Sequence, residues 1–336
     1  MITVGIIGAG RIGKVHSGTI AYHVPGAKIK TIADPFMNAE TESWAKSIGI
    51  ENTTKDYKEI IADKEIDAVL ICSSTDTHSP ISLEAIAAGK HIFCEKPIDH
   101  DVAKIKEVME ALKKNPVKYQ VGFNRRFDHN YEAVEQAVRA GKVGDPHLIL
   151  ITSRDPAPPP VEYIKVSGGL FLDMMIHDFD MVRYLAGCDA VEVYAEGAVL
   201  VDKAIGEAGD VDTAVVTLKM ENGAIAVIDN SRQAVYGYDQ RAEVFGSKGM
   251  VQCSNDAAST AVLSNENGVT GEVPLHFFLE RYTQAYAKEV IQFCEAIEKN
   301  TDTPLGVEDG LKPVLMGLAA KKSLEEHRPV KISEIG

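Results

Sequence analysis

The stretch TVGIIGAGRIG, residues 3–13, constrains this chain more than any other. A short apolar, β-rich run stops at Gly8, and glycines recur at 10 and 13 where a helical pattern begins near Arg11. Gly8 permits a tight turn, Gly10 lets a ligand approach the backbone, and Gly13 lets helix and strand pack closely. The helix N-terminus adds free N–H groups and a positive dipole end, which suit phosphate. Alone the spacing is a weak signal, but between a first strand and a first helix it reads as a dinucleotide turn. Gly8, Gly10, Arg11, Ile12 and Gly13 are therefore expected around a pyrophosphate. Asp34 closes the second strand-like run, KIKTIAD, about where a ribose-binding carboxylate belongs. It would accept from the adenosine ribose hydroxyls and repel a 2′-phosphate. Pro35 and Phe36 follow, with no arginine to grip that phosphate, so NAD is expected over NADP.

The first part of the chain continues this rhythm. DAVLICSS and HIFCEKP read as strands, VKYQVGF as a sixth strand, and SPISLEAIAAGK and DHDVAKIKEVMEALKKN as helices between them. Strands alternating with crossover helices imply a doubly wound parallel sheet, the Rossmann arrangement. After Phe123 the pattern changes. Strand-like runs from about 190 to 264, with turns such as ENG at 221–223, imply a largely antiparallel sheet. Helical patterns around 281–298 and 308–326 close the chain. The expected class is α/β: a Rossmann domain over residues 1–123, then an α+β domain over 124–336 that holds substrate and mediates oligomerisation.

A formal charge of −14, from 35 Lys+Arg against 49 Asp+Glu, disfavours nucleic acid and anionic membrane as partners. Five widely spaced cysteines with no C-x-x-C pair support neither a disulfide framework nor a zinc site. No apolar run approaches the ~20 residues of a membrane span, and no basic leader precedes the first strand. The expected location is cytoplasmic.

Ligands of open α/β sheets bind beyond the carboxyl ends of the strands. There the fourth strand runs into CSSTDTHSP and the fifth into CEKP, which offers Ser73, Thr75, His78, Glu95 and Lys96 toward the cofactor. Alternation sends Glu95 and Lys96 to different faces, and a lysine at that place reaches a nicotinamide ribose and a substrate hydroxyl. A second cluster lies in GGLFLDMMIHDFDMVRYL, residues 168–185, apolar almost all round as a helix. Wound as one helix, Asp173, His177 and Asp180 form a single stripe. Buried ionisable groups are costly unless paired, so the stripe is either a structural polar cluster or a site. A metal reading of Asp173, His177, Asp178 and Asp180 is disfavoured by the nearby lysine and dinucleotide motifs, and no metal is expected.

AGKHIFCEKP and GGLFLDMMIHDFDMVRYLAG, in this order behind the glycine fingerprint, resemble the glucose–fructose oxidoreductase / inositol dehydrogenase (Gfo/Idh/MocA) family. VGFNRRFD (121–128) and YGYDQRAEVFGSKG (236–249) extend the resemblance over the whole chain, and the motifs look most like those of bacterial inositol 2-dehydrogenases. The resemblance implies a catalytic triad of Lys96, Asp173 and His177. It further implies substrate contacts from Asp180 and Tyr236, and from Asn124, Arg125 (or Arg126 in its place) and Asp155. The implied activity is NAD-dependent oxidation of a cyclic polyol, myo-inositol giving its 2-keto product (scyllo-inosose), in a homotetramer. Alternatives are a dehydrogenase for a pyranose or another inositol isomer, and a non-catalytic dinucleotide-sensing regulator, which would not need the triad.

Overall fold

The computed structural model describes all 336 residues, Met1–Gly336. Six strands, β1 (Ile2–Ile7), β2 (Ala27–Ala33), β3 (Asn52–Thr54), β4 (Ala68–Ile71), β5 (His91–Glu95) and β6 (Tyr119–Gly122), form one parallel sheet in the order β3-β2-β1-β4-β5-β6. Strand order reverses beside β1, the topological switch point where such sheets bind dinucleotides. Strands β1, β4 and β6 are buried along their whole length. Their continuous apolar runs follow from helices covering both faces. The crossovers are α1 (Arg11–His23), α2 (Ala39–Ser47), α3 (Tyr57–Ala62), α4 (Thr75–Ala87) and α5 (Val102–Lys114).

Beyond a short 3₁₀ turn at Asn124–Phe127 comes α6 (His129–Arg139), capped by Asp128, whose side chain accepts from the N–H groups of Asn130 and Tyr131. The second sheet is built from β7 (Pro146–Arg154), β8 (Ala190–Ala198), β9 (Thr213–Met220), β10 (Ile225–Ser231), β11 (Asp239–Gly246) and β12 (Gly249–Cys253). β13 (Val262–Asn265) and β14 (Gly268–Gly271) pair only with each other, and β15 (Val330–Lys331) completes the large sheet. Its order is β12-β11-β7-β10-β9-β8-β15. Only β7 and β10 pair in parallel, so the sheet is mixed and mostly antiparallel. Helices α7 (Val161–Ser167), α8 (Ile176–Ala186), α9 (Lys203–Glu207), α10 (Phe278–Arg281), α11 (Thr283–Lys299) and α12 (Val307–Glu326) complete the chain.

The chain forms two compact units, Met1–Phe127 with Gln284–Val314, and Asp128–Thr283 with Leu315–Gly336. This differs from two consecutive domains meeting at residue 123. The segment of α11 returns to the first unit because Val290, Phe293 and Cys294 join the core beneath β1 and β4, alongside Val4, Ile6, Leu70 and Phe93. No helix is long and apolar enough to cross a membrane.

The 168–185 stretch is not one helix. Gly168 (φ +89°) and Gly169 (φ +78°) break it after α7, a backbone conformation that costs glycine little. Leu170–Met174 then form a π-helical turn closed by Met175 N–H on the Leu170 carbonyl at 2.9 Å, and α8 follows. A Cβ on Gly169 would stand 2.7 Å from Asp210 Oδ1, and that carboxylate caps the turn by accepting from Leu170 N at 3.0–3.1 Å.

Candidate functional site

In the first unit, the glycine turn has the form its sequence requires. Gly8 lies at φ +103°, and a Cβ there would stand 2.6 Å from the Cys72 carbonyl oxygen. A Cβ on Gly13 would run into the Gly8 carbonyl, which is what lets α1 pack against β1. On Gly10 it would meet nothing within 4 Å. Gly10 begins α1 in extended conformation, with no side-chain cap and no acidic residue in the first turn. The helix therefore presents N–H groups and its positive end with no competing protein carboxylate, and Gly10, Arg11 and Ile12 are at least partly exposed.

Asp34 is half-buried at the end of β2. Its Oδ2 accepts from Ala9 N at 2.7 Å and its Oδ1 from Phe36 N at 2.8 Å. These bonds fix the carboxylate against the glycine turn while each oxygen keeps a further lone pair. The groups of this turn fit a dinucleotide whose ribose hydroxyls meet Asp34.

At the other strand ends the structure divides the expected cofactor contacts. Ser73 bonds Thr77 through their hydroxyls at 2.6 Å, and Thr75 opens α4 half-exposed. Lys96, the first residue after β5, is also half-exposed. His78 takes a different part. Its Nδ1 meets the Pro97 carbonyl at 2.8 Å and its Nε2 the Ser73 carbonyl at 3.0 Å, and the residue is 2% exposed. Two carbonyl acceptors require two N–H donors, hence an imidazolium. Burial alone would lower its pKa, but the Cys94 sulfur and the two carbonyls outweigh that and raise it to about 9. His78 thus braces the loops after β4 and β5, with both ring nitrogens engaged by backbone carbonyls. Glu95, also read as a cofactor contact, is buried with its Oε1 2.6 Å from His16 Nε2. The physical reason is alternation: the residue beside Lys96 points into the layer of α1.

Asn124 and Arg125 are buried in the 3₁₀ turn, and Asn124 Nδ2 has no hydrogen-bond partner. Arg126 is paired at 3.4 Å with Asp309 of α12.

In the second unit, Asp173 and His177 are the only residues from Leu170 to Val182 that are not buried. The two remain neighbours in sequence order across the π turn, but the intervening backbone is wound more widely than an α-helix. Asp173 is held by partners that sequence reading missed. Tyr163 Oη donates to its Oδ1 at 2.9 Å, and Arg232, 1% exposed, places a guanidinium nitrogen 3.6 Å from its Oδ2. Arg232 also lies 3.5 Å from Asp210. The one local signal was an arginine directly after the apolar strand β10.

Asp180 is 1% exposed and lies 3.8 Å from Arg183, while Asp178 accepts from Asn230 at 3.0 Å. Neither shares the partial exposure of Asp173 and His177. Asp155, just past β7, is half-buried and takes part in backbone bonds to Ser231 and Ala234. Tyr236 is exposed, yet its hydroxyl donates to Asp239 at 2.7 Å and accepts from Arg154 at 3.1 Å. Burial and then the Asp239 bond raise the pKa of this phenol, so it is a neutral hydroxyl already oriented in the turn between β10 and β11.

A fully parallel six-stranded sheet with this glycine turn, followed by a mixed sheet carrying the Asp173–His177 segment, is matched domain by domain. Residues 2–123 match the oxidoreductase family, NAD-binding Rossmann fold, of GFO/IDH/MocA, and residues 131–252 match the GFO/IDH/MocA C-terminal domain. This chain belongs to the GFO/IDH/MocA oxidoreductases. It is 49% identical over 332 residues to a myo-inositol 2-dehydrogenase of Thermotoga maritima, covering 99% of both chains. Among solved structures, a probable dehydrogenase from Thermotoga maritima superposes with a TM-score of 0.97 at 48% identity, each chain covered completely. A scyllo-inositol dehydrogenase from Lactobacillus casei, with bound NAD(H) and scyllo-inositol, superposes with a TM-score of 0.92 at 33% identity over 99% of each chain. The Rossmann half and mixed-sheet half of this GFO/IDH/MocA protein are therefore the fold expected from its sequence.

Proposed function

We propose that this protein oxidises a secondary hydroxyl of a cyclic polyol with NAD, its substrate being myo-inositol and its product 2-keto-myo-inositol. The observation that carries the reading is the partial exposure of Asp173 and His177 alone within an otherwise buried segment. A structural cluster would be closed over on all sides. The similarity to a myo-inositol 2-dehydrogenase over nearly the full length supports the substrate class.

NAD supplies the hydride acceptor. The remaining work falls to the chain. His177, partly exposed within this segment, takes the hydroxyl proton as general base. Asp173, anchored by Tyr163 and Arg232, orients the ring and stabilises the imidazolium. Lys96 donates to the reacting oxygen and favours alkoxide character. Asn124, Arg125 and Asp155 are the polar groups assigned to the remaining hydroxyls, with Asp180 and Tyr236 acting from further back through their held positions.

We also propose a cytoplasmic homotetramer. Met250, Phe245, Leu148 and Ile225 form one row across four strands in register, all on the same face and each 39–50% exposed. The opposite face, with Ile149, Ile151, Val244 and Ile228, is buried. An exposed apolar row of this kind marks an association surface.

The deciding test is turnover with NAD and NADP against myo-inositol, scyllo-inositol, other inositol isomers and pyranoses. The similarity to a scyllo-inositol dehydrogenase makes that isomer the second candidate. Preference for a pyranose would overturn the substrate assignment, and no turnover with any polyol would overturn the enzymatic reading.

A further inference from the structure

Inside the first unit, three buried ionisable side chains converge that the proposed mechanism does not use. They are His16 of α1, Glu95 at the last position of β5 and Glu289 of α11, with their nitrogen and oxygen atoms all within 4.8 Å of one another. His16 Nε2 and Glu95 Oε1 are 2.6 Å apart. Glu289 is 0% exposed, and neither of its carboxyl oxygens has a hydrogen-bond partner. Phe93 and Tyr286 pack edge-on against the imidazole, with centroids at 5.1 and 5.5 Å.

A metal ion suits this cluster poorly. Nitrogen and oxygen at hydrogen-bond distance leave no room for an ion that needs about 2.0–2.2 Å to each. His16 Nδ1 is buried without a partner, whereas a metal-bound imidazole almost always donates its second N–H. What the geometry does accomplish is to hold Glu95. On the neighbouring strand its register partner is Gly122, where a Cβ would come within 3.1 Å of the Glu95 carboxyl. The missing side chain on β6 makes room for that carboxyl, and His16 and Glu289 close around it. Gln120 Nε2 fixes the Glu289 backbone carbonyl at 2.8 Å, tying α11 to β6.

We propose that His16 and Glu289 are positioning residues for the oxidation: His16 by its hydrogen bond to the Glu95 carboxyl, and Glu289 by walling that carboxyl in from α11, fix the end of β5, and with it the point from which Lys96 leaves the sheet. The proposal rests on the assignment of Lys96 as a catalytic residue. A displacement of about 1 Å in a catalytic group costs on the order of 10²-fold in rate, and Lys96 is bonded directly to Glu95.

The test compares full-length His16→Leu, His16→Asn, His16→Gln, Glu289→Leu and Glu289→Gln with Lys96→Met, measuring kcat and KM for myo-inositol across pH, the Kd of NAD, and Tm. His16→Leu and Glu289→Leu should lose roughly 10–100-fold in kcat, with a displaced pH profile and an NAD Kd close to that of the wild type. His16→Gln, which keeps a hydrogen-bonding group of similar reach, and Glu289→Gln, which keeps the size and shape of the buried side chain, should recover most of that loss. Lowered Tm with unmoved kcat and pH profile in the leucine variants would make the cluster purely structural and overturn the proposal. If the leucine variants do not fold, His16→Asn decides. Its amide is too short to reach Glu95, and an unmoved kcat and profile there overturns the proposal equally. Full turnover by Lys96→Met would instead show that the assignment of Lys96 is at fault.

Discussion

The guanidinium of Arg232, 1% exposed, lies 3.6 Å from a carboxylate oxygen of Asp173. A second nitrogen lies 3.5 Å from Asp210, the residue that caps the π-helical turn. One buried cation therefore holds both the entry of the 170–182 segment and the Asp173 carboxylate. Removing one partner of a buried ion pair leaves the other uncompensated. Arg232→Leu should lower stability by about 3 kcal/mol, at the lower end of that class because the carboxylates keep some exposure. Equilibrium denaturation checks this, and a loss below about 1 kcal/mol, the usual worth of a surface pair, would show that Arg232 is not the anchor.

Asp34 accepts two backbone N–H bonds, one from Ala9 that ties it to the glycine turn and one from Phe36 just after it. Hydrogen bonds to a charged group are worth about 1.5–3 kcal/mol each. Asp34→Ser should therefore weaken NAD by about 10–100-fold through lost ribose contacts and a loosened turn. Adding an arginine at position 35 should shift the kcat/KM preference toward NADP. A wild-type enzyme that already prefers NADP would refute the role given to this carboxylate.

Much of this was legible in the sequence, for reasons that differ by residue. Gly8, Gly13 and Asp34 could be read because their roles are local: a turn, a helix approach and a strand end. The π turn was hidden because apolar spacing across 168–185 imitates a single helix, although the Gly168–Gly169 pair marked the break. Arg232, Tyr163 and Asp210 could not be found. Arg232 reaches Asp173 from the end of β10 and Tyr163 from α7, while Asp210 meets Leu170 and Arg232 from the loop before β9. These approaches depend on how the elements fold together. The same holds for α11. Its apolar face announced burial but not which sheet it would cover. Glu95 lies at a strand end as expected and His78 in the first turn of α4 just beyond one, yet the direction each side chain takes depends on the layer packed behind it.

Glu289 gives stability a pH dependence. Burial, then the charge of Glu95, raise its carboxyl well above the ordinary value of 4.5. The groups around it are Glu95 on β5, His16 on α1 and the Cys72 thiol after β4, itself raised by burial and these carboxylates. A group with a raised folded-state pKa contributes stability that is complete below the unfolded pKa and declines as pH rises through the folded one. Wild-type Tm should thus fall from about pH 5 toward pH 9 more steeply than that of Glu289→Gln, whose amide imitates the protonated acid. Parallel curves would mean that Glu289 is ionised in the folded protein.

The apolar row Met250–Phe245–Leu148–Ile225 makes association separable from folding. Phe245→Glu sets a charge in the middle of the row without touching the buried face of β11. It should reduce the sedimenting mass of the wild-type assembly while leaving the circular dichroism of the protomer intact. A wild type that sediments as a monomer at micromolar concentration would remove the basis for the tetramer.

The sharpest test of the site lies in the pair left open within a buried segment. His177→Ala should lower kcat by roughly 10²–10⁴-fold, the usual worth of a positioned general base. NAD affinity should barely change, because the imidazole is assigned to the substrate and not to the dinucleotide. In the wild type, oxidation should rise with pH through a single ionisation, and in His177→Ala that limb should flatten. Asp173→Asn should be nearly as damaging, since an amide can support the wrong ring tautomer. It should also disturb the Tyr163 and Arg232 contacts that hold the carboxylate. Lys96→Met should impair KM and kcat together, because an ammonium donating to the hydroxyl acts in the ground state and the transition state alike. Undiminished turnover in His177→Ala, accompanied by lost stability, would return Asp173 and His177 to the role of a polar cluster that merely fastens the segment in place.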